Sequence, residues 1–260
     1  MLIIYRLLEM IKNHLTIDIN KSSVRFSLLN GNILVKERSF IFSDRQDYRY
    51  KQQLDDFWKE TNWKESDFDE VSLSWSEYQT TLIPSNVFNE SDKDSIFQLT
   101  FGSNIHQEEI DYNRLPMQGI VNIFSIPLWV KSFFVIRFPR IVIQHEGTHL
   151  IRGLFSEATF KLKSKISLHQ DHFIVAVVKE NNLQFYSTFE WTTIEDIVYY
   201  YSFLMQQLSF QDQENELEIA VNNNLELNEE SLTKAFEAVF SKIKLSFNQF
   251  LIEKYQQLCV

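Results

Sequence analysis

A mixed α/β chain built from one unit used twice is the fold class this sequence predicts. Three observations carry the prediction. An alternating apolar pattern brackets Asn30-Gly31-Asn32, a second brackets Glu180-Asn181-Asn182, and each is followed by an amphipathic helical stretch and one more alternating strand.

In the first half, Val24, Phe26 and Leu28 alternate with polar residues, and Ile33 and Val35 resume after the Asn-Gly turn. Period-two alternation around Asn-Gly is a β-hairpin signal, because those residues accept the left-handed angles of a tight turn. The stretch from Ser43 to Thr61 has helical composition, with Leu54, Phe57 and Trp58 on one side, and Val71, Leu73 and Trp75 then alternate as a strand. Further on, the sequence predicts a helix across Leu82–Phe101, a strand at Arg140–Gln144 and a helix running into Ser156.

The second half repeats this order. Phe173–Val178 is unbroken apolar, as a strand buried on both faces would be. Leu183, Phe185, Ser187 and Phe189 alternate with Gln184, Tyr186, Thr188 and Glu190. Thr192 and Glu195 form a capping box ahead of a helix with Ile194, Ile197, Val198, Tyr201, Leu204 and Leu208 on its apolar stripe. Leu217, Ile219 and Val221 make the next strand, and Glu229–Lys242 the last helix. The second pattern starts about 149 residues after the first.

A hairpin feeding a helix and a further strand is the core of the ribonuclease H-like unit, and two such units make the actin-like arrangement. The expected organisation is an N-terminal helix over 1–15, with Leu7, Leu8, Ile11 and Leu15 on one face, then a first ribonuclease H-like subdomain over 16–160 and a second over 161–260. The halves join near Ser156 to Ser167.

Composition removes several function classes. There are 35 acidic against 25 basic residues, a net charge of −10 with no long basic run, so nucleic-acid binding is disfavoured. The single cysteine, Cys259, cannot form an internal disulfide, which fits a reducing, cytoplasmic setting. No apolar run reaches bilayer-spanning length. The expected partner is another, unidentified protein.

His145-Glu146-Gly147-Thr148-His149 fits H-E-x-x-H. On a helix the two imidazoles lie one turn apart and can share Zn²⁺, while the glutamate activates a water. The strand reading of Arg140–Gln144 and the glycine inside the motif favour instead a strand-to-helix junction, with Glu146 in the first helical turn where the dipole stabilises it. A zinc metallopeptidase with ligands His145 and His149 and base Glu146 stays open as an alternative. His106, His169 and His172 lack a convergent spacing, and the last two are expected to be exposed beside a strand start. Tyr199, Tyr200 and Tyr201 fall on a helix, so part of the run faces the core.

The order of Thr81-Leu82-Ile83-Pro84-Ser85-Asn86-Val87-Phe88, Phe124-Ser125-Ile126-Pro127, Phe138-Pro139, the hairpin from Phe173, and Glu195-Asp196-Ile197-Val198-Tyr199-Tyr200 resembles the bacterial family DUF3822. The resemblance covers roughly Ser22 to Leu225 and implies an actin-like ATPase fold, with no established activity.

Actin-like ATPases hold phosphates on two glycine-containing hairpin turns, where backbone N–H groups must come close to the ligand. The matching candidates here are Asp18, Lys21 and Ser22 in the first turn and Asp171 in the second. Asn20 stands where the first glycine is expected, Asp171 is followed by His172 and Phe173, and the late adenosine site reads Val221-Asn222-Asn223-Asn224. The resemblance therefore implies an actin-like protein with degenerate nucleotide motifs, no assigned catalytic residue and no cofactor, acting as an interaction scaffold. Residual Mg-ATP binding is the other alternative beside zinc.

Overall fold

Leu15, Ile17 and Ile19 alternate with His14, Thr16 and Asp18 along β1 (Asn13–Ile19), so the aliphatic side chains enter the core together. The structure, a computed structural model, describes residues 12–31, 33–44, 46–102, 108–155, 160–222 and 225–249.

β1 pairs antiparallel with β2 (Ser23–Asn30) and parallel with β4 (Glu70–Trp75). Adding β3 (Ile33–Ile41) and β8 (Val142–His145) gives a five-stranded sheet of order β3-β2-β1-β4-β8. The second half contains β9 (Leu162–Leu168), β10 (His172–Lys179), β11 (Asn182–Glu190), β12 (Asn215–Val221) and β13 (Ile243–Gln249) in the order β11-β10-β9-β12-β13.

Position by position this is the same sheet. Three strands of the first half start at Asn13, Ser23 and Ile33, and their counterparts at Leu162, His172 and Asn182, each about 149 residues later. Even the irregularity recurs. The β2–β3 register shifts between Leu28 and Leu29, and the β10–β11 register between Val177 and Val178, at the same place in each hairpin. Bulges are designed features that twist a strand pair, so their coincidence supports a repeated unit.

Helices α1 (Asp47–Thr61) and α5 (Ile194–Gln207) each lead from the third strand to the fourth, and α3 (Leu128–Arg137) and α6 (Glu229–Val239) lead into β8 and β13. In the first half α1 and α3 cover the apolar sheet face. Phe26 is fully buried against Phe57, Trp58 and Phe134. In the second half Tyr201 of α5 is buried against Phe236 and Phe240, with its hydroxyl bonded to Ser164 and Asn215.

The first half carries an insertion that its counterpart lacks: β5 (Thr80–Pro84), α2 (Lys93–Phe101), β6 (Glu108–Leu115) and β7 (Ile120–Pro127), with a sheet of order β5-β7-β6. Helix α4 (Glu146–Leu154) runs from β8 toward the second half. Its Leu150, Ile151 and Leu154 pack on Ile174, Ala176 and Val178 of β10, while Phe173, Val175 and Val177 of the same strand face the other core. The unbroken apolar run of β10 is thus buried on both faces, as its sequence predicts.

Four expectations need correction. Residues 13–15 are strand rather than the end of a helix, because Leu15 belongs to the β1 alternation; residues 1–11 lie outside the described residues. The helix expected from Leu82 starts only at Lys93, since Thr80, Thr81 and Ile83 are β-branched and Pro84 lacks the N–H a helix interior needs. The joint expected up to Ser167 contains β9, the central strand of the second sheet, disguised by its lysines and serines. The capping box of α5 is Thr193 with Asp196, one residue later than expected.

His14 is buried on the polar face of β1, with Nε2 2.6 Å from Ser72 Oγ. Burial pushes its pKa below the ordinary value, against the opposing pull of Glu70. An imidazole that is harder to protonate when folded binds more protons unfolded, so it destabilises the fold as pH drops from about 6.5 towards the folded pKa. The Tm of His14→Gln should fall less than that of the parent over this window; identical slopes would remove His14 as a cause.

Candidate functional site

Two tight turns of the same construction face each other between the halves. In the first, Asn20 N donates to Ser23 O at 3.0 Å; in the second, His169 N donates to His172 O at 2.9 Å. Beyond them, Ser76 N donates to Ile19 O and Asn222 N to Leu168 O, both at 3.0 Å, at the ends of β4 and β12. These four corners enclose a cleft of about 110 Å³. The carboxyl ends of strands in an open α/β sheet are where ligands bind.

The cleft is wired by its own side chains. Asn20 Oδ1 accepts from the backbone N–H groups of Ser22 at 2.7 Å and Ser23 at 2.8 Å. Lys21 Nζ lies 2.5 Å from Glu77 Oε2, and Glu77 Oε1 accepts from Tyr78 N. The His169 and His172 rings stack at 4.6 Å and 8°. His172 Nδ1 lies 2.7 Å from Asp171 Oδ1, and this contact holds the Asp171 carboxyl below its usual range.

Of the residues singled out in the sequence, Lys21, Ser22, Asp171 and Asn222 line this cleft. Asp18 does not; its carboxylate pairs with Arg25 at 2.9 Å inside the sheet. By the repeat, Asp18 corresponds to Ser167 and Asp171 to Ser22, so the two aspartates are not equivalent. His169 and His172 are buried rather than exposed, because the facing turn and α4 cover them. Sequence reading passed over Ser76, Glu77 and Tyr78. Their signal was position, directly after the alternating β4. Asn223 and Asn224 of the late site, and His106, lie outside the described residues.

The H-E-x-x-H segment sits immediately behind this cleft. His145 caps α4: its Nδ1 accepts from Gly147 N at 2.9 Å and its Nε2 donates to Glu77 O at 2.9 Å. Glu146 is buried and accepts from Ser167 Oγ and, at 2.7 Å, from His169 Nε2. Thr148 Oγ1 bonds to Asn113 and Asn122 of the inserted sheet. A metal at His145 would need a ring lone pair already taken by the Gly147 amide. Among the described residues no cluster of three or more His, Cys, Asp or Glu side chains is arranged to hold an ion. In this structure the side chains of His145, Glu146 and Thr148 bond to neighbours in both halves.

The sequence profile of the DUF3822 family, a protein family of unknown function, matches residues 6–255. The chain belongs to this family. The fold agrees: a Bacteroides thetaiotaomicron structure described as a protein with actin-like ATPase fold and unknown function superposes with a TM-score of 0.80 at 20% identity, covering 96% of each chain. A chain of the PilM-PilN type IV pilus biogenesis complex superposes with a TM-score of 0.58 at 9% identity, covering 90% of this chain and 88% of that one. At such identities the likeness shows the fold, which is that of the actin-like ATPases. No functionally curated protein matches the sequence. Among the described residues of this DUF3822 protein no helix is long and apolar enough to cross a membrane.

Gly147 packs directly against the second half. A Cβ there would lie 1.9 Å from Tyr186 Oη, the hydroxyl of a half-buried phenol that desolvation makes much harder to ionise. Gly147→Ala should cost about 1–3 kcal/mol in urea unfolding, the usual penalty for overpacking, and Tyr186→Ala should recover part of it in the double variant. An unchanged midpoint for Gly147→Ala would show that the halves are not held at this separation.

Proposed function

We propose that this protein is a non-catalytic interaction scaffold, with 16–160 and 161–260 as its two subdomains and the cleft between them as the recognition feature for another protein. The observation that carries this reading is the carboxamide of Asn20. It occupies two backbone N–H groups in the turn that corresponds to an actin-like phosphate loop. Close approach of phosphate depends on such donors being open, with glycine beside them.

Size and charge point the same way. Pockets for nucleotide-sized ligands usually hold about 300–1,000 Å³, well above the 110 Å³ here. Lys21, the cation of the first turn, is already in contact with Glu77, and Lys179 stacks on the Phe210 ring away from the cleft. The PilM-PilN complex supplies a fold-level precedent for an actin-like chain found with another protein. The single cysteine and the acidic surface suit a cytoplasmic scaffold.

Thermal shift and calorimetry with Mg-ATP test the reading. A specific site raises stability by about 2.7 kcal/mol at a hundredfold excess over its Kd. The scaffold reading expects no saturable shift. A shift that disappears in Lys21→Ala, whose side chain lines the cleft, would replace it with a nucleotide-dependent one. Lys21 serves here better than Asp18, because Asp18→Ala would strand the buried Arg25.

A further inference from the structure

The third strand of each half forms an equivalent edge of its sheet. β3 ends the order β3-β2-β1-β4-β8 and β11 ends the order β11-β10-β9-β12-β13, so each pairs on one side only among the described residues. An unpaired edge is a template for another strand, and proteins blunt such edges with charge. β3 is blunted in this way, with Lys36, Glu37 and Arg38 at its centre. The repeat sets Phe185, Tyr186 and Ser187 at the matching places of β11. Between Asn182 and Glu190 this strand has no charged residue and no proline.

The surface beside the β11 edge is aromatic. Phe185, Ser187 and Phe189 lie opposite Val177, Val175 and Phe173 and so share their α5 side of the sheet. The Phe185 and Phe189 rings stack with centroids 6.4 Å apart, and Phe189 stacks on Tyr200 of α5 at 4.7 Å. The band continues outward to Tyr199 and Phe203, which stack at 6.5 Å and are 64% and 51% exposed. Tyr and Phe are enriched at the cores of protein interfaces. Tyr186 and Thr188 point to the opposite face, where their hydroxyls bond to Thr80 and to the carbonyl of Tyr78.

The strand itself indicates the occupant. Phe185-Tyr186-Ser187-Thr188-Phe189 is nearly symmetric about its serine, and its pairing with β10 is regular throughout. Two copies laid antiparallel about Ser187 set Phe185 of each opposite Phe189 of the other, and Tyr186 opposite Thr188. Cross-strand aromatic pairs stabilise such a ladder, and here no like charges meet. Ser187, the smallest side chain of the run, falls on the axis. A two-fold interface needs a self-complementary patch of this kind.

We propose that the protein dimerises by pairing the β11 edges of two copies, which joins their second-half sheets into one, with Tyr199 and Phe203 of α5 packing along the seam. This inference is independent of the scaffold reading; its consequence is two clefts in one assembly.

Sedimentation velocity of the full chain, under reducing conditions and over about 1–100 μM, tests it. The expected result is a species of twice 31.0 kDa with a Kd of about 1–10 μM. Phe185→Lys copies Lys36 of the blunted edge, and Tyr199→Glu puts a charge on the exposed flank of α5. Each should raise the Kd at least about tenfold, with the Tm of each variant as the check on folding. Tyr199 is exposed, so its variant keeps the fold if Phe185→Lys does not. On oxidation, Ser187→Cys in a Cys259→Ser background should cross-link two copies, whereas Ser39→Cys, exposed on β3, should not. A monomer at every concentration would overturn the inference. So would a dimer that Tyr199→Glu leaves unchanged, or one that cross-links through position 39 and not through 187.

Discussion

A buried carboxylate joins the two halves. Glu146 is 2% exposed, and both of its oxygens are bonded across the junction, to Ser167 and His169 of the second sheet. Burying an ionised carboxylate costs several kcal/mol unless its oxygens are satisfied, so this geometry is tightly prescribed. One residue earlier, His145 reaches the opposite way, to the carbonyl of Glu77 in the first half. The start of α4 thus fixes both walls of the cleft. Gly147 and Thr148 complete the junction with close contact to Tyr186 and bonds to Asn113 and Asn122.

The H-E-x-x-H segment is engaged on both sides in this arrangement. A zinc pair needs both imidazoles inside one helix with lone pairs directed at a common point. His145 is instead a cap residue with extended backbone, and its ring nitrogens serve an amide and a carbonyl. The cleft in front inherits its character from the same residues. His169, positioned by Glu146, stacks on His172, which turns one nitrogen to Asp171. In the facing turn, Asn20 occupies the position equivalent to His169 and uses its side chain to close the backbone donors.

Much of the architecture was legible because it rests on periodicity. The hairpins at Asn30-Gly31 and Glu180-Asn181, the β4 and β12 alternations and the both-faces burial of β10 follow from apolar spacing, and the repeat interval carries through to the bulges. The central strands β1 and β9 were obscured. Their non-core faces carry His14, Thr16 and Asp18, and Lys163, Lys165 and Ser167, which sequence reads as surface. Of the candidate site, the turn residues were legible from their resemblance to phosphate loops. The roles of Glu77, Ser76 and the histidine stack were not, since they depend on which turns the second sheet brings opposite the first.

The central claim is that Glu146 and His169 form the energetic tie between the halves. A double-mutant cycle with Glu146→Ala, His169→Ala and the pair, measured by urea unfolding, tests it most directly. Residues bonded in one buried network show coupling of about 0.5–3 kcal/mol, whereas independent sites add within about 0.3–0.5 kcal/mol. The account predicts coupling above about 1 kcal/mol, and additivity within error would contradict it.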